Sequence, residues 1–198
     1  MTVEEWLGKD NIIGIDIWHK KYQYRNETFE EWLDRVSGKN EYIRNLIKEK
    51  KFLFGGRILS NRGTETSGSL CNCYSEGYCP DDYAGIMDAA KDLGLTFKAQ
   101  GGQGISLSLL RPKGAPIGND YVSDGIVPFM KIFNEVTDST SQGGARKGAL
   151  MISLDANHKE AETFITIKSE LGLIEKANLS LEVNDDFFGR IGNDLEPI

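Results

Sequence analysis

The chain has 198 residues, 39% of them hydrophobic, and a formal charge of −7; it can bury a sizeable core, and it lacks the basic face that broad nucleic-acid binding needs to displace counterions from phosphates. No run approaches the ~18 apolar residues of a membrane span, and the opening Met-Thr-Val-Glu-Glu is acidic where a secretory signal is basic, so a cytoplasmic location without membrane attachment is expected. Cys71, Cys73 and Cys79 follow a Cys-x-Cys-x5-Cys spacing with no further Cys or His set, which argues against structural zinc, and His19 and His158 stand far apart.

Residues 1–52 read as a helical region. Thr28-x-x-Glu31 is a capping box, with Phe29, Trp32, Leu33 and Val36 on one helical stripe behind it. A second helix carries Tyr42, Ile43, Leu46 and Ile47 and ends in Lys48-Glu49-Lys50-Lys51, charges that suit a helix C-terminus. From residue 53 the pattern changes. An apolar run through Leu59 broken by Gly55 and Gly56 leads into a Gly, Thr and Ser-rich loop over Ser60–Ser69, and Leu70–Tyr74 reads as a short buried strand. Asp81 or Asp82 caps a helix through about Ala99, with Tyr83, Ile86, Ala90, Leu93 and Phe97 facing inward. Ile105–Leu109 alternates with period two as a strand does, and a helix over Asp124–Thr137 buries Val127, Met130 or Phe129, Phe133 and Val136. Ala149–Leu154 and Leu179–Val183 are strand-like and flank a helix over Ala156–Ile167. The expected fold is α/β with mainly parallel pairing, as residues 53–198, behind an N-terminal helical layer.

Two glycine-rich segments carry the chemistry. In Ser141-Gln142-Gly143-Gly144-Ala145-Arg146-Lys147-Gly148, the glycines let backbone N–H groups turn toward an anion while Arg146 and Lys147 add charge. A solvated surface turn is the alternative. Upstream, Gly101-Gly102 permits close backbone approach to a ligand or simply makes a tight helix-to-strand turn, and Arg111-Pro-Lys113-Gly forms a second cationic loop.

In this order, the blocks Gly-Gly-Arg-Ile-Leu (55–59), Asn72-Cys73-Tyr74, Leu-Arg-Pro-Lys-Gly (110–114) and Ser-Gln-Gly-Gly-Ala-Arg-Lys-Gly-Ala (141–149) resemble the catalytic subunit of class I or class II ribonucleotide reductases, from about Phe54 to Phe188. The resemblance implies the first part of a ten-stranded α/β barrel. It places Cys73 beneath the substrate ribose as one half of a redox dithiol, with Asn72, Gly101 and Gly102 against the substrate. Cys71 stands where the family more often has Ser or another small residue, which leaves it as the alternative redox thiol, and Cys79 reads as structural. For an effector nucleotide, Asp81, with Asp82 beside it, would hold the sugar hydroxyl, and Arg111 and Lys113 the phosphates. Ser141, Gln142, Gly143, Gly144, Arg146 and Lys147 would form the specificity loop between effector and substrate.

The implied partners are a ribonucleotide, an effector, a thioredoxin- or glutaredoxin-type reductant and a second copy of the chain. The radical cysteine, its neighbouring Asn and Glu and the second redox cysteine are expected in a further C-terminal part. The radical source would be adenosylcobalamin or a metal-bearing small subunit, and this chain itself is expected to bind neither. A nucleotide-sensing module and a pure assembly element remain as alternatives.

Overall fold

Reciprocal caps start the helices of the N-terminal unit. In the computed structural model, which describes residues 1–65, 69–140, 148–169 and 172–192, Thr2 with Glu5 caps α1 (Val3–Leu7) and Asn11 caps α2 (Ile12–Ile17). A π-turn over Trp18–Tyr22 follows. The predicted Thr28–Glu31 box caps α3 (Phe29–Ser37), which Gly38 ends in the left-handed conformation at φ 64°. Asn40 caps α4 (Glu41–Lys48). α5 spans Gly56–Asn61, so Gly56 of the glycine break and the first two residues of the expected loop, Ser60 and Asn61, are helical, with Gly55 as the N-cap.

Trp6, Trp18, Phe29, Trp32, Leu33, Val36, Ile47 and Leu59 form the core of this unit, which extends over Met1–Asn72. Beside that core, the Arg35 Nη2 to Glu27 Oε1 ion pair (2.7 Å) is about nine-tenths buried on both sides. Arg35 also donates to the carbonyls of Tyr22, Leu59 and Arg62, so one side chain ties three segments together.

The second unit, Cys73–Ile198, is built on parallel strands. Its elements are β1 (Cys73–Tyr78), α6 (Tyr83–Lys98), β2 (Gly102–Ser106), a two-strand hairpin of β3 (Pro116–Ile117) and β4 (Tyr121–Val122), α7 (Val127–Ser139), β5 (Ala149–Asp155), α8 (Ala161–Thr166), β6 (Ala177–Glu182) and α9 (Asp185–Gly192). The main sheet has the order β1-β2-β5-β6, every pair parallel. Ile86, Leu93, Phe97, Met130, Phe133 and Phe164 of the helices pack on Ile105, Leu150, Ile152 and Leu154 of the strands. Among the described residues no helix is long and apolar enough to cross a membrane.

Several expected boundaries move. The buried strand expected over Leu70–Tyr74 is instead β1, which starts at Cys73; it pairs among described residues with β2 alone, is largely exposed, and bulges between Ser75 and Gly77. β2 begins at Gly102 rather than Ile105, because pairing to neighbours on both sides, not side-chain alternation, sets its ends; the chain then turns from Leu107 to Leu110. Tyr83 is 70% exposed rather than inward, and Met130, not Phe129, is the fully buried residue of α7. The helix expected from Ala156 starts at Ala161, since the Asp155 carboxylate and the Asp155 and His158 carbonyls take the amides of Asn157, His158 and Ala161 into turns.

Candidate functional site

Side chains alternate along a strand, so residues in register share a face. Gln103, Ile105, Leu150, Ile152, Leu179 and Leu181 point to the helices. The other face carries Cys73 and Ser75 of β1, Gly102, Gly104 and Ser106 of β2, Met151 and Ser153 of β5, and Asn178, Ser180 and Glu182 of β6. This face is small and polar. A cleft of about 360 Å³ lies on it, lined by Ser75, Tyr78, Gly104, Ser106, Met151, Ser153 and Glu182 among others. The Glu182 carboxylate is oriented by the Ser153 hydroxyl at 2.5 Å and the Ser108 hydroxyl at 3.3 Å. Apart from Cys73 and Gly102, sequence reasoning missed this face, although the patterns Gly102-x-Gly104-x-Ser106 and Asn178-x-Ser180-x-Glu182 place small or polar residues at alternate positions in the way a face open to ligand requires.

Cys73, Gly102 and Ala149 form a row across three strands at their N-terminal ends. Gly101 precedes this row and is buried; a Cβ there would lie 2.8 Å from both Thr96 Cγ2 and Tyr74 Cε2. Glycine there leaves room for Thr96 and Tyr74 to pack closely where α6 turns into β2. The turn is a Schellman C-cap, with Gln100 in the left-handed region at φ 66° and the amides of Gln100 and Gly101 donating to the carbonyls of Phe97 and Thr96. Asn72 directly precedes Cys73 and is the last residue of the N-terminal unit. Cys71 and Cys73 are exposed free thiols, whereas Cys79 is buried; its loss of hydration, together with the charges of Asp82, Asp81 and Glu76, pushes its pKa up to about 11.

The predicted effector residues divide. Asp82 is the cap of α6, its carboxylate accepting the Gly85 amide at 2.8 Å. Asp81 instead pairs with Arg111: Arg111 Nε donates to Asp81 Oδ2 at 2.7 Å and the Arg111 amide to Oδ1 at 3.1 Å. All three residues line a cleft of about 540 Å³ with Tyr83, Ile117, Ser123, Phe129 and others. Lys113 does not line it; its amide donates to Glu160 Oε2 at 3.1 Å and its side chain is exposed.

α6 and α7 both begin at this cleft and end at the Cys73–Gly102–Ala149 row. α6 runs from its cap Asp82 to the Gly101 turn, and α7 runs from Val127 to Ser139 with Thr140 as its C-cap, where a Cβ on Gly148 would lie 3.0 Å from Thr140 Oγ1. The proposed specificity residues Ser141, Gln142, Gly143, Gly144, Arg146 and Lys147 lie outside the described residues, between these two anchors.

A purely parallel sheet, covered by helices on one face and presenting a polar, thiol-bearing second face, is a segment of an α/β barrel. Residues 67–196 match the family described as the ribonucleotide reductase barrel domain. A vitamin B12-dependent ribonucleoside-diphosphate reductase from Thermoplasma acidophilum is 34% identical over 207 aligned residues, covering 96% of this chain and 26% of the relative. The ribonucleoside-diphosphate reductase subunit alpha of Helicobacter pylori is 38% identical over 115 residues, 58% of this chain and 14% of that one. The solved class Id ribonucleotide reductase alpha subunit of Actinobacillus ureae shares the fold, with a TM-score of 0.79 at 22% identity over 98% of this chain and 36% of its own. The chain belongs to the ribonucleotide reductase family, and it spans about a quarter or less of the length of these two curated relatives.

Proposed function

We propose that this chain supplies the front of a ribonucleotide reductase catalytic barrel, which reduces ribonucleotides to 2′-deoxyribonucleotides once a C-terminal part completes it. The observation that carries the reading is Cys73 in register with Gly102 on the polar face of the sheet. There the Cys73 thiol and a partner thiol would give two electrons as the 2′-hydroxyl leaves as water, ending as a disulfide. A thioredoxin- or glutaredoxin-type dithiol restores them by exchange, which needs a reachable sulfur, and Cys73 is exposed.

Gly102 gives the substrate close access to backbone, Gly101 packs against Thr96 and Tyr74 to set the turn that places it, and Asn72 contributes from the position before Cys73. A nucleoside triphosphate effector would occupy the Asp81–Arg111 cleft, where the guanidinium exchanges part of its carboxylate contact for phosphate. The specificity residues between Thr140 and Gly148 would carry the effect to the substrate row, a coupling of typically ~1–3 kcal/mol. Exposed Tyr83 and Met87 on α6 suit pairing with a second copy.

The thiyl radical would arise from adenosylcobalamin or a metal-bearing small subunit. The described His, Cys, Asp and Glu side chains include no group of three able to hold a metal ion, so no step is assigned to such a centre in this chain.

Mixing the chain with the C-terminal part of the reductase, a radical source and a dithiol should convert a labelled ribonucleotide, and Cys73→Ser should abolish turnover while Cys71→Ser preserves it. Activity retained by Cys73→Ser would overturn the assignment of the redox thiol. A second reading, a nucleotide-sensing module, is favoured by a cleft built wholly from this chain; it expects triphosphate binding in calorimetry without any complementing part.

A further inference from the structure

Glu160 lies outside both clefts, yet it is 8% exposed and charged in kind. Its Oε2 accepts the amides of Lys113 and Ile126, each at 3.1 Å. Ile126 is the N-cap position of α7, which has no side-chain cap of its own, so Glu160 supplies from a distant turn the carboxylate that the helix N-terminus favours. Space for that carboxylate is made by Gly125, at φ 81°, where a Cβ would fall 2.3 Å from Glu160 Oε1.

His158 braces the same turn. Its Nδ1 accepts the Glu160 amide at 3.2 Å, which leaves Nε2–H to donate to the Leu110 carbonyl at 2.8 Å. Ser123 closes the arrangement: its hydroxyl donates to the Arg111 carbonyl at 3.4 Å and accepts the Gly125 amide at 3.0 Å. The turn after β5 thus holds the segments that present Arg111, Ser123 and Pro128 to the Asp81 cleft.

We propose that Glu160 is a positioning residue for the nucleoside triphosphate site, setting the distance between the Arg111 loop and the start of α7; this rests on the effector reading of the Asp81–Arg111 cleft. Glu160→Ala leaves the buried Ile126 amide and the part-buried Lys113 amide without their carboxylate acceptor and frees the two walls from each other. In Glu160→Gln the side-chain carbonyl can still accept both amides.

The test is calorimetric titration of the full chain with dTTP, dATP and dGTP, comparing the parent, Glu160→Ala, Glu160→Gln and Phe164→Leu, the last a buried α8 substitution that lines no part of the cleft. Affinity should fall about tenfold or more in Glu160→Ala, stay within about threefold in Glu160→Gln, and be unchanged in Phe164→Leu. Parent-like binding by Glu160→Ala removes the role of Glu160 alone. A loss in Phe164→Leu equal to that in Glu160→Ala shows that stability, not positioning, was being read, and also overturns the inference. A parent that binds none of the three triphosphates defeats the effector reading itself and this inference with it.

Discussion

Gly101→Ala tests whether close packing at the α6–β2 turn sets the position of Cys73. The added methyl would meet Thr96 Cγ2 at 2.8 Å and the Tyr74 ring at 2.8 and 2.9 Å, all shorter than real Cβ contacts. Backbone conformation is not the obstacle, since Gly101 is not among the positive-φ glycines. Tyr74 is 39% exposed and can swing away, but Thr96 is β-branched in a helix and stiff about χ1, so part of the strain stays. Overpacking of this kind costs about 1–3 kcal/mol, or roughly 3–12 °C in melting temperature for a unit of this size. Because Tyr74 adjoins Cys73, and Cys73 pairs with Gly102, moving the ring loosens the start of β1.

Thermal unfolding by far-UV circular dichroism and the alkylation rate of Cys73 should therefore change together. Adding Tyr74→Ala, which removes two of the three close contacts, should restore part of the register, read as a return of the alkylation rate toward the parent value. A Gly101→Ala protein that melts within about 1 °C of the parent and alkylates at the parent rate would refute the argument.

Other consequences are equally direct. Arg35→Met strands the buried Glu27 carboxylate, and should cost the N-terminal unit about 3–5 kcal/mol in urea titration followed by tryptophan fluorescence, since all three tryptophans report on that unit; a loss below about 1 kcal/mol contradicts the role given to the pair. Cys71 and Cys73 should react with a disulfide reagent in the native state, and Cys79 only on unfolding; equal rates for all three would contradict its burial. With its pKa raised from 9.0 to about 11, the Cys79 thiol keeps its proton in the folded state after the unfolded chain has lost it, so the stability it contributes below pH 9 disappears as pH rises toward 11, and Cys79→Ala should flatten that decline. Glu30 is held at about 2 by hydrogen bonding from Lys48, with help from the N-terminus and Arg44; its contribution is complete above its ordinary value of 4.5 and lost as pH falls toward 2, so Glu30→Gln should lessen acid destabilisation over that interval.

What the residues by themselves determined is local. The Thr28–Glu31 cap, the apolar stripe behind it, an Asp81 or Asp82 start of α6, a tight helix-to-strand turn ahead of Gly102 and the alternation of helices with strands all follow from interactions within a few residues, which is why they are readable from a string. The ordered glycine and cysteine blocks gave the family by the same directness. What tertiary structure alone decided is every choice that depends on a distant partner. Strand ends at Cys73 and Gly102 come from ladder pairing rather than side-chain pattern, and the polar face of the sheet exists only once four strands lie in register. Asp81 meets a guanidinium 30 positions away, and Glu160 accepts the amide of Ile126, the residue before α7 and 34 positions earlier in the chain. A carboxylate's role depends on which donors lie within about 3 Å of it, and folding brings those donors from parts of the chain that no local pattern connects.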